Sequence, residues 1–203
     1  MKSLSEIETV SKRASRAAGY SWGVAEEVAK NIRLLEIFSL PGIKNLNSFF
    51  KKKGELKLEN IRLINKNNET IRKEYCPIIA GVNCLDQIRT IESLSEITFK
   101  KVSYPLLFLP FISRASEVIG KRIFIKMDDR EFLLNFNNNI YSNYKKNKII
   151  DLAENIYLKV LENQDSFEEK EWNELYKLSE ETFVEENESL KQGAAGAGLT
   201  DND

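Results

Sequence analysis

Apolar side chains recur every three or four positions through Leu4, Ile7, Val10, Ala14, Ala17 and Ala18, and again through Ala25, Val28, Ala29, Ile32 and Leu35. That period predicts two amphipathic helices. Ser3-x-x-Glu6 and Ser5-x-x-Glu8 are candidate capping boxes for the first, and Gly19 is its natural stop. Lys12, Arg13 and Arg16 fall toward its C-terminal end, where cations suit the helix dipole. Ser21 is a good N-cap for the second helix, which ends before Pro41-Gly42. Residues 1–42 therefore read as a helical hairpin, its alanines allowing close packing.

Further along, Asn45 to Phe50 reads as a short helix, Lys51 to Gly54 as a loop, Ile61 to Ile64 as a strand and Asn65 to Glu69 as a turn. Cys76-Pro-Ile-Ile-Ala-Gly81 is apolar and bounded by Pro and Gly, a buried strand or a tight turn. Asp86 to Ser93 reads as a short helix. From Ile97 the pattern is β-like, through Phe99 into Val102. Pro105 to Phe111 is an apolar run of strand length that proline confines to an edge or entry position. Ser113 to Ile119 is expected to be helical and to end at Gly120. Ile123, Ile125 and Met127 alternate, Asp128-Asp129 turns, and Glu131 to Phe136 returns, which predicts a hairpin. Asn137 to Asn139 turns again, and Ile156 to Val160 is a later strand.

A last helix is expected from about Phe167 to Phe183, capped by Asp165 or Ser166 and enriched early in Glu168, Glu169 and Glu171. Trp172, Leu175, Leu178 and Phe183 are expected to face inward. Glu185, Glu186 and Glu188 oppose the dipole and end it. No repeat and no linker stands out. The expected architecture is a single α+β domain over 1–203: an N-terminal helical hairpin, a central mainly antiparallel β region, and a C-terminal helix followed by a Gly-rich acidic tail over 189–203.

Composition narrows the function. The 203 residues are 42% hydrophobic and 30% charged, a globular balance. A net charge of −1 argues against a nucleic-acid-coating protein, and no nucleic-acid partner is expected. Charge is uneven, however. Residues 1–53 carry ten Lys/Arg against five Asp/Glu, and residues 151–203 carry four against fifteen. Such ends pack on each other, meet different partners, or are plain solvated faces. Histidine is absent, so no Ser-His-Asp triad, Cys-His dyad or His metal ligand comes from this chain. No metal site is expected. Cys76 and Cys84 have neither knuckle nor redox-pair spacing. With no signal peptide and no apolar run near ~20 residues, the expected setting is cytoplasmic, with reduced thiols and no membrane partner.

Three constellations are candidates for chemistry. Trp22, Glu26, Lys30 and Arg33 follow at steps of four, four and three, and so share one helical stripe. An aromatic, an acid and two bases in line suit a polar or anionic ligand. The same stripe is also an ordinary solvated face with an i,i+4 ion pair. The tail supplies Gly196, Gly198, Thr200, Asp201 and Asp203. It is no dinucleotide fingerprint, because no helix follows, and no Walker loop, because no Gly-Lys-Ser/Thr follows. It is either a flexible terminus or a segment docked on bases such as Lys30 and Arg33, or one offering oxygens to a cation. Cys76 with Asp86 pairs a thiol and a carboxylate, against the alternative of a buried inert cysteine.

Ser3-Leu-Ser-Glu-Ile-Glu8, the Ala-rich basic stretch to Gly19, Ser21-Trp-Gly-Val-Ala-Glu-Glu27, Cys76-Pro-Ile-Ile-Ala-Gly81 and Gly196-Ala-Gly-Leu-Thr-Asp-Asn-Asp203 together resemble a bacterial domain-of-unknown-function family over nearly the whole chain. That resemblance implies no activity, cofactor or catalytic residue. Ser3 to Ile43 is also similar to the N-terminal helical hairpin of the type-two malate/L-lactate dehydrogenases. Those continue with Ser-His-Gly where this chain has Ser39-Leu-Pro-Gly, so dehydrogenase chemistry does not carry over.

Two functions are expected from these residues. One is a cytosolic small-molecule-binding protein, a metabolic enzyme being one form of it, with its site at Trp22, Glu26, Lys30, Arg33 and the tail. The alternative is a non-catalytic accessory subunit that docks on a partner enzyme through its acidic C-terminal arm.

Overall fold

The computed structural model describes residues 2–144 and 149–182. The expected Gly-rich tail, with Gly196, Gly198, Thr200, Asp201 and Asp203, lies outside them, as does Phe183. The chain divides into two compact units after Asn163.

The first unit opens on the helical hairpin. Helix α1 (Leu4–Ala17) starts where the Ser3 hydroxyl accepts from the Glu6 N–H at 3.1 Å. Gly19 breaks it in the left-handed region, at φ +94°. Helix α2 (Trp22–Ile37) starts where the Ser21 hydroxyl accepts from the Val24 N–H at 3.3 Å. Ala25, Val28, Ala29, Ile32 and Leu35 are all buried, as their spacing predicts. Helix α3 (Gly42–Lys52) follows, longer than the expected 45–50.

Strands β1 (Leu58–Glu59), β2 (Asn67–Asn68) and β3 (Glu74–Tyr75) are two residues each. Ile61 and Ile64 are buried, but they lie in the connection between β1 and β2 and form no strand. The longer strands are β4 (Glu96–Ser103), β5 (Arg122–Met127), β6 (Arg130–Leu134), β7 (Ile140–Ser142) and β8 (Leu152–Leu161). They assemble in the order β1-β3-β4-β8-β5-β6-β7, with β2 also on β4. All pairings from β4 through β7 are antiparallel, and the short strands β1, β2 and β3 add parallel pairs at one edge. The architecture is α+β: a helical hairpin, a mainly antiparallel sheet, and a C-terminal helix in the second unit.

Two apolar segments, one read as a buried strand or tight turn and the other as a strand, are helical instead. Cys76 to Gly81 opens helix α4 (Pro77–Asp86), with Pro77 in the first turn, where a missing N–H costs nothing. Pro105 to Phe111 is a 3-10 turn (Pro105–Leu107) running into α6 (Leu109–Ile119), after α5 (Ile88–Leu94). A helix buried around most of its circumference shows an apolar run without a polar face, and short runs of that kind do not separate helix from strand. In α6 seven of the eleven residues are buried. It ends at Gly120, φ +73°, as expected. Helix α6 lies against β5 and β6, and α2 and α4 lie against α6. This central helix therefore joins the sheet to the helical layer.

In the second unit α7 (Glu169–Glu180) is closed by a capping box, in which the Glu168 N–H donates to Glu171 Oε2 at 2.8 Å. The cap is Glu168 rather than Asp165 or Ser166. Phe167 stacks on Trp172 with ring centroids 5.6 Å apart. Trp172, Leu175 and Leu178, expected to face inward, are exposed. No helix among the described residues is long and apolar enough to cross a membrane.

Candidate functional site

The residues that line the main cleft come from one face of α2 and one face of α6. On α2 they are Lys30, Asn31 and Leu34, and on α6 Pro110, Arg114, Glu117 and Val118. Each set follows three-to-four spacing, which puts it on a single side of its helix. Asn138, from the β6–β7 connection, closes the end. The cleft holds about 490 Å³, within the usual range for small-molecule sites.

The loop that carries Asn138 is built by asparagines. The Asn135 side-chain oxygen accepts from the backbone N–H groups of Asn137 and Asn139, both at 3.0 Å. Asn138 itself sits at φ +57°, a conformation asparagine tolerates better than most residues. Its amide donates to Glu117 Oε2 at 2.7 Å and accepts from Ser113 Oγ at 3.4 Å. Glu117 is thereby held, with Asn138 spent on its support.

The donors are less fully spent. Asn31 is 7% exposed, and its buried Nδ2 has no hydrogen-bond partner. A buried polar group without a partner costs free energy, so it calls for an acceptor. Arg114 pairs with Glu27 through one guanidinium nitrogen, and its remaining N–H groups have no other bond among the described residues. Lys30 bridges Glu26 at 3.2 Å and Glu27 at 3.4 Å. Its ammonium is held above the usual lysine range, first by the Glu26 bond and then by the charge of Glu27. Glu26 is held below the usual carboxylate range by its bonds to Lys12 and Lys30. Both groups stay ionised around neutrality.

The expected stripe is thus divided between two duties. Lys30 enters the cleft, and Glu26 supports it while reaching Lys12 on α1 at 2.9 Å. Trp22 is 60% exposed with the Arg16 guanidinium 5.6 Å from its ring centroid, and Arg33 donates to Glu8 at 3.2 Å. Those two contacts clasp α2 to α1 and do not line the cleft. Asn31, Arg114, Glu117 and Asn138 escaped the sequence reading. Asn31 stands beside the apolar stripe as an ordinary polar residue would, and the others meet it only through the tertiary fold.

A second hollow, about 270 Å³, continues on the far side of Arg114. Glu27, Val82, Leu85, Asp86, Ile88, Arg114 and Val118 line it. Cys76 and Asp86 are not brought together, for they stand at opposite ends of α4, about 15 Å of helix apart. Cys76 instead meets Tyr20, its sulfur 3.5 Å from the phenol oxygen. Both line a third hollow with Lys53. There the polar groups already satisfy one another. Lys53 donates to the Ala18 carbonyl at 2.7 Å and sits 4.1 Å from the Tyr20 ring centroid. Burial, reinforced by Cys76, pushes the Tyr20 phenol well above its ordinary range. Burial likewise raises the Cys84 thiol, which keeps it protonated and unreactive.

Residues 2–76 match the model of a family described as Protein of unknown function (DUF3726). The match spans the hairpin with its two serine caps and ends at Cys76, so it takes in Lys30 and Asn31 but not α6. No curated protein and no solved structure matches the chain.

Proposed function

We propose that the chain binds a small anionic metabolite in the α2–α6 cleft. The observation that carries this is the unpartnered, buried Asn31 amide on a wall that also presents Lys30 and Arg114. The donors left over are the Asn31 amide and the Arg114 N–H groups that Glu27 does not take, and the acceptor oxygens of a carboxylate or phosphate would complete them. Lys30 is the member of the Trp22–Glu26–Lys30–Arg33 stripe that would touch the ligand, and Glu26 would hold it in place. Gly196, Gly198, Thr200, Asp201 and Asp203 are a further proposal as ligand-binding residues. No reaction is assigned.

Thermal-shift and calorimetric titrations with acetate, butanoate, succinate, citrate and inorganic phosphate test the reading. At least one of these anions is expected to stabilise the wild-type chain. Asn31→Leu should abolish that shift while raising the stability of the free protein by about 1 kcal/mol, since it removes a buried unsatisfied donor. A ligand response that survives Asn31→Leu, or no response to any of the anions, would overturn the proposal.

The exposed aromatic and aliphatic side chains around α7 favour a second reading, a docking arm for a partner protein. Trp172, Leu175 and Leu178 are exposed on a helix whose charge is mainly acidic, and Phe167 is exposed just before it. Trp172→Ala with Leu175→Ala should then release a partner that co-purifies with the full chain, because aromatic anchors dominate such interfaces. Retention of the partner by the double variant would sink this reading.

A further inference from the structure

Arg114 and Val118 line both the main cleft and the second hollow. They stand one turn apart on α6, so they form the ridge over which the two spaces meet. The linings on either side differ in kind. The main cleft presents Lys30, Asn31, Glu117 and Asn138. The second hollow, apart from Glu27, Asp86 and Arg114, is walled by Val82, Leu85, Ile88 and Val118. The first space mixes polar groups for a head with Leu34, Pro110 and Val118, the second is mostly apolar, and the two share Arg114.

We propose that the ligand is an amphipathic monocarboxylate, its head on Asn31 and Arg114 and its alkyl chain in the slot between α4, α5 and α6. This rests on the anion-binding reading above and adds the class of ligand. Charge argues for a head of low charge: Lys30 and Arg114 are already balanced by Glu27 and Glu117 along the same two walls, so each further negative unit on the ligand meets carboxylates without a surplus cation. Geometry matches the head to a carboxylate. Arg114 has a planar fork of donors, of which Glu27 occupies one nitrogen, and Asn31 adds a donor from the opposite wall. The slot sets the tail. Four aliphatic side chains reward an alkyl group and offer its carbons no hydrogen-bonding competitor. At about 270 Å³ the slot suits a chain of medium length rather than a long lipid.

Calorimetry on the full chain with acetate, butanoate, hexanoate and octanoate reads both parts of the proposal separately. Affinity should rise about threefold to fourfold for each methylene that enters the slot, and then level off. Leu85→Gln should flatten that rise, and Asn31→Leu should weaken every acid in the series. Octanol should bind at least tenfold more weakly than octanoate. Acids that bind equally at all lengths would overturn the alkyl slot and leave the anion site standing. No binding by any acid, with phosphate or citrate bound instead, would overturn the monocarboxylate and keep an anion site. Silence from every anion would end both. Octyl phosphate binding more tightly than octanoate would overturn the choice of head.

Discussion

Gly81→Val is expected to cost about 3 kcal/mol, and Gly81→Ala about 1–2 kcal/mol, relative to the natural chain. A Cβ at this position would lie 2.2 Å from Cδ2 and 2.4 Å from Cγ of Phe111. Neither distance is tolerable between carbons. Phe111 is 1% exposed, so its ring has no open side toward which to swing. Helices α4 and α6 would have to separate, and α6 is packed on the sheet. Alanine recovers about 1 kcal/mol of helix propensity over glycine, which softens the first substitution without reversing it. Urea unfolding should show a lower midpoint at an unchanged slope. Thermal midpoints should fall about 2–4 °C per kcal/mol. A stabilised Gly81→Ala would mean that the helices part without cost. Trimming the ring with Phe111→Leu in the Gly81→Ala background should restore part of the loss, the coupling expected of residues in contact.

The larger effect is expected at Phe99. Its side chain is fully buried on β4, and its ring meets Phe108 edge-on with centroids 5.3 Å apart. Phe99 is paired with Ile156 of β8 on one side and Asn68 of β2 on the other. Phe108 opens the turn into α6, so this ring pair fastens the sheet to the helix above it. Phe99→Ala should remove about 3–5 kcal/mol, from lost burial and from a cavity that neither strand can close. That is a large part of a typical 5–15 kcal/mol stability. Phe99→Leu should lose far less, about 1.5 kcal/mol or below, because volume is largely kept. Equilibrium denaturation of the two variants decides the matter. A loss under about 1 kcal/mol for Phe99→Ala would show that the layers are held elsewhere.

Local chemistry made much of this fold legible. Ser3 and Ser21 begin their helices, Gly19 and Gly120 mark chain breaks, and the Asp128-Asp129 turn joins β5 to β6, because each depends on a few adjacent residues. What was not legible depends on distant partners. Pro77 and Pro105 read as strand punctuation until burial around α4 and α6 is known. The apolar stripe of α7 looks the same in sequence whether or not its own chain covers it. At the candidate site Lys30 was legible as a charged position on a helix face. Asn31 was not, since only the absence of a hydrogen-bond partner distinguishes it. Arg114, Glu117 and Asn138 join it from more than 80 positions along the chain; no local pattern records that meeting.

Strand β8 is the last strand among the described residues and sits in the middle of the sheet, between β4 and β5. During synthesis, both of those strands therefore wait with an unpaired edge while the chain is made through residue 161. Chains emerge at about 5–20 residues per second, so the wait lasts several seconds for β4. Throughout it, Ile97, Phe99, Ile123 and Ile125 lack the neighbour that completes their core. A growing chain of this topology is most vulnerable to aggregation just before β8 emerges, and a ribosome pause ahead of β8 would prolong that exposure. The segment that matches the family model, residues 2–76, reaches the ribosome exit long before any sheet exists to receive it. Its helices must wait for the Pro105–Leu107 turn and α6, made later, which supply the surface that α2 and α3 cover.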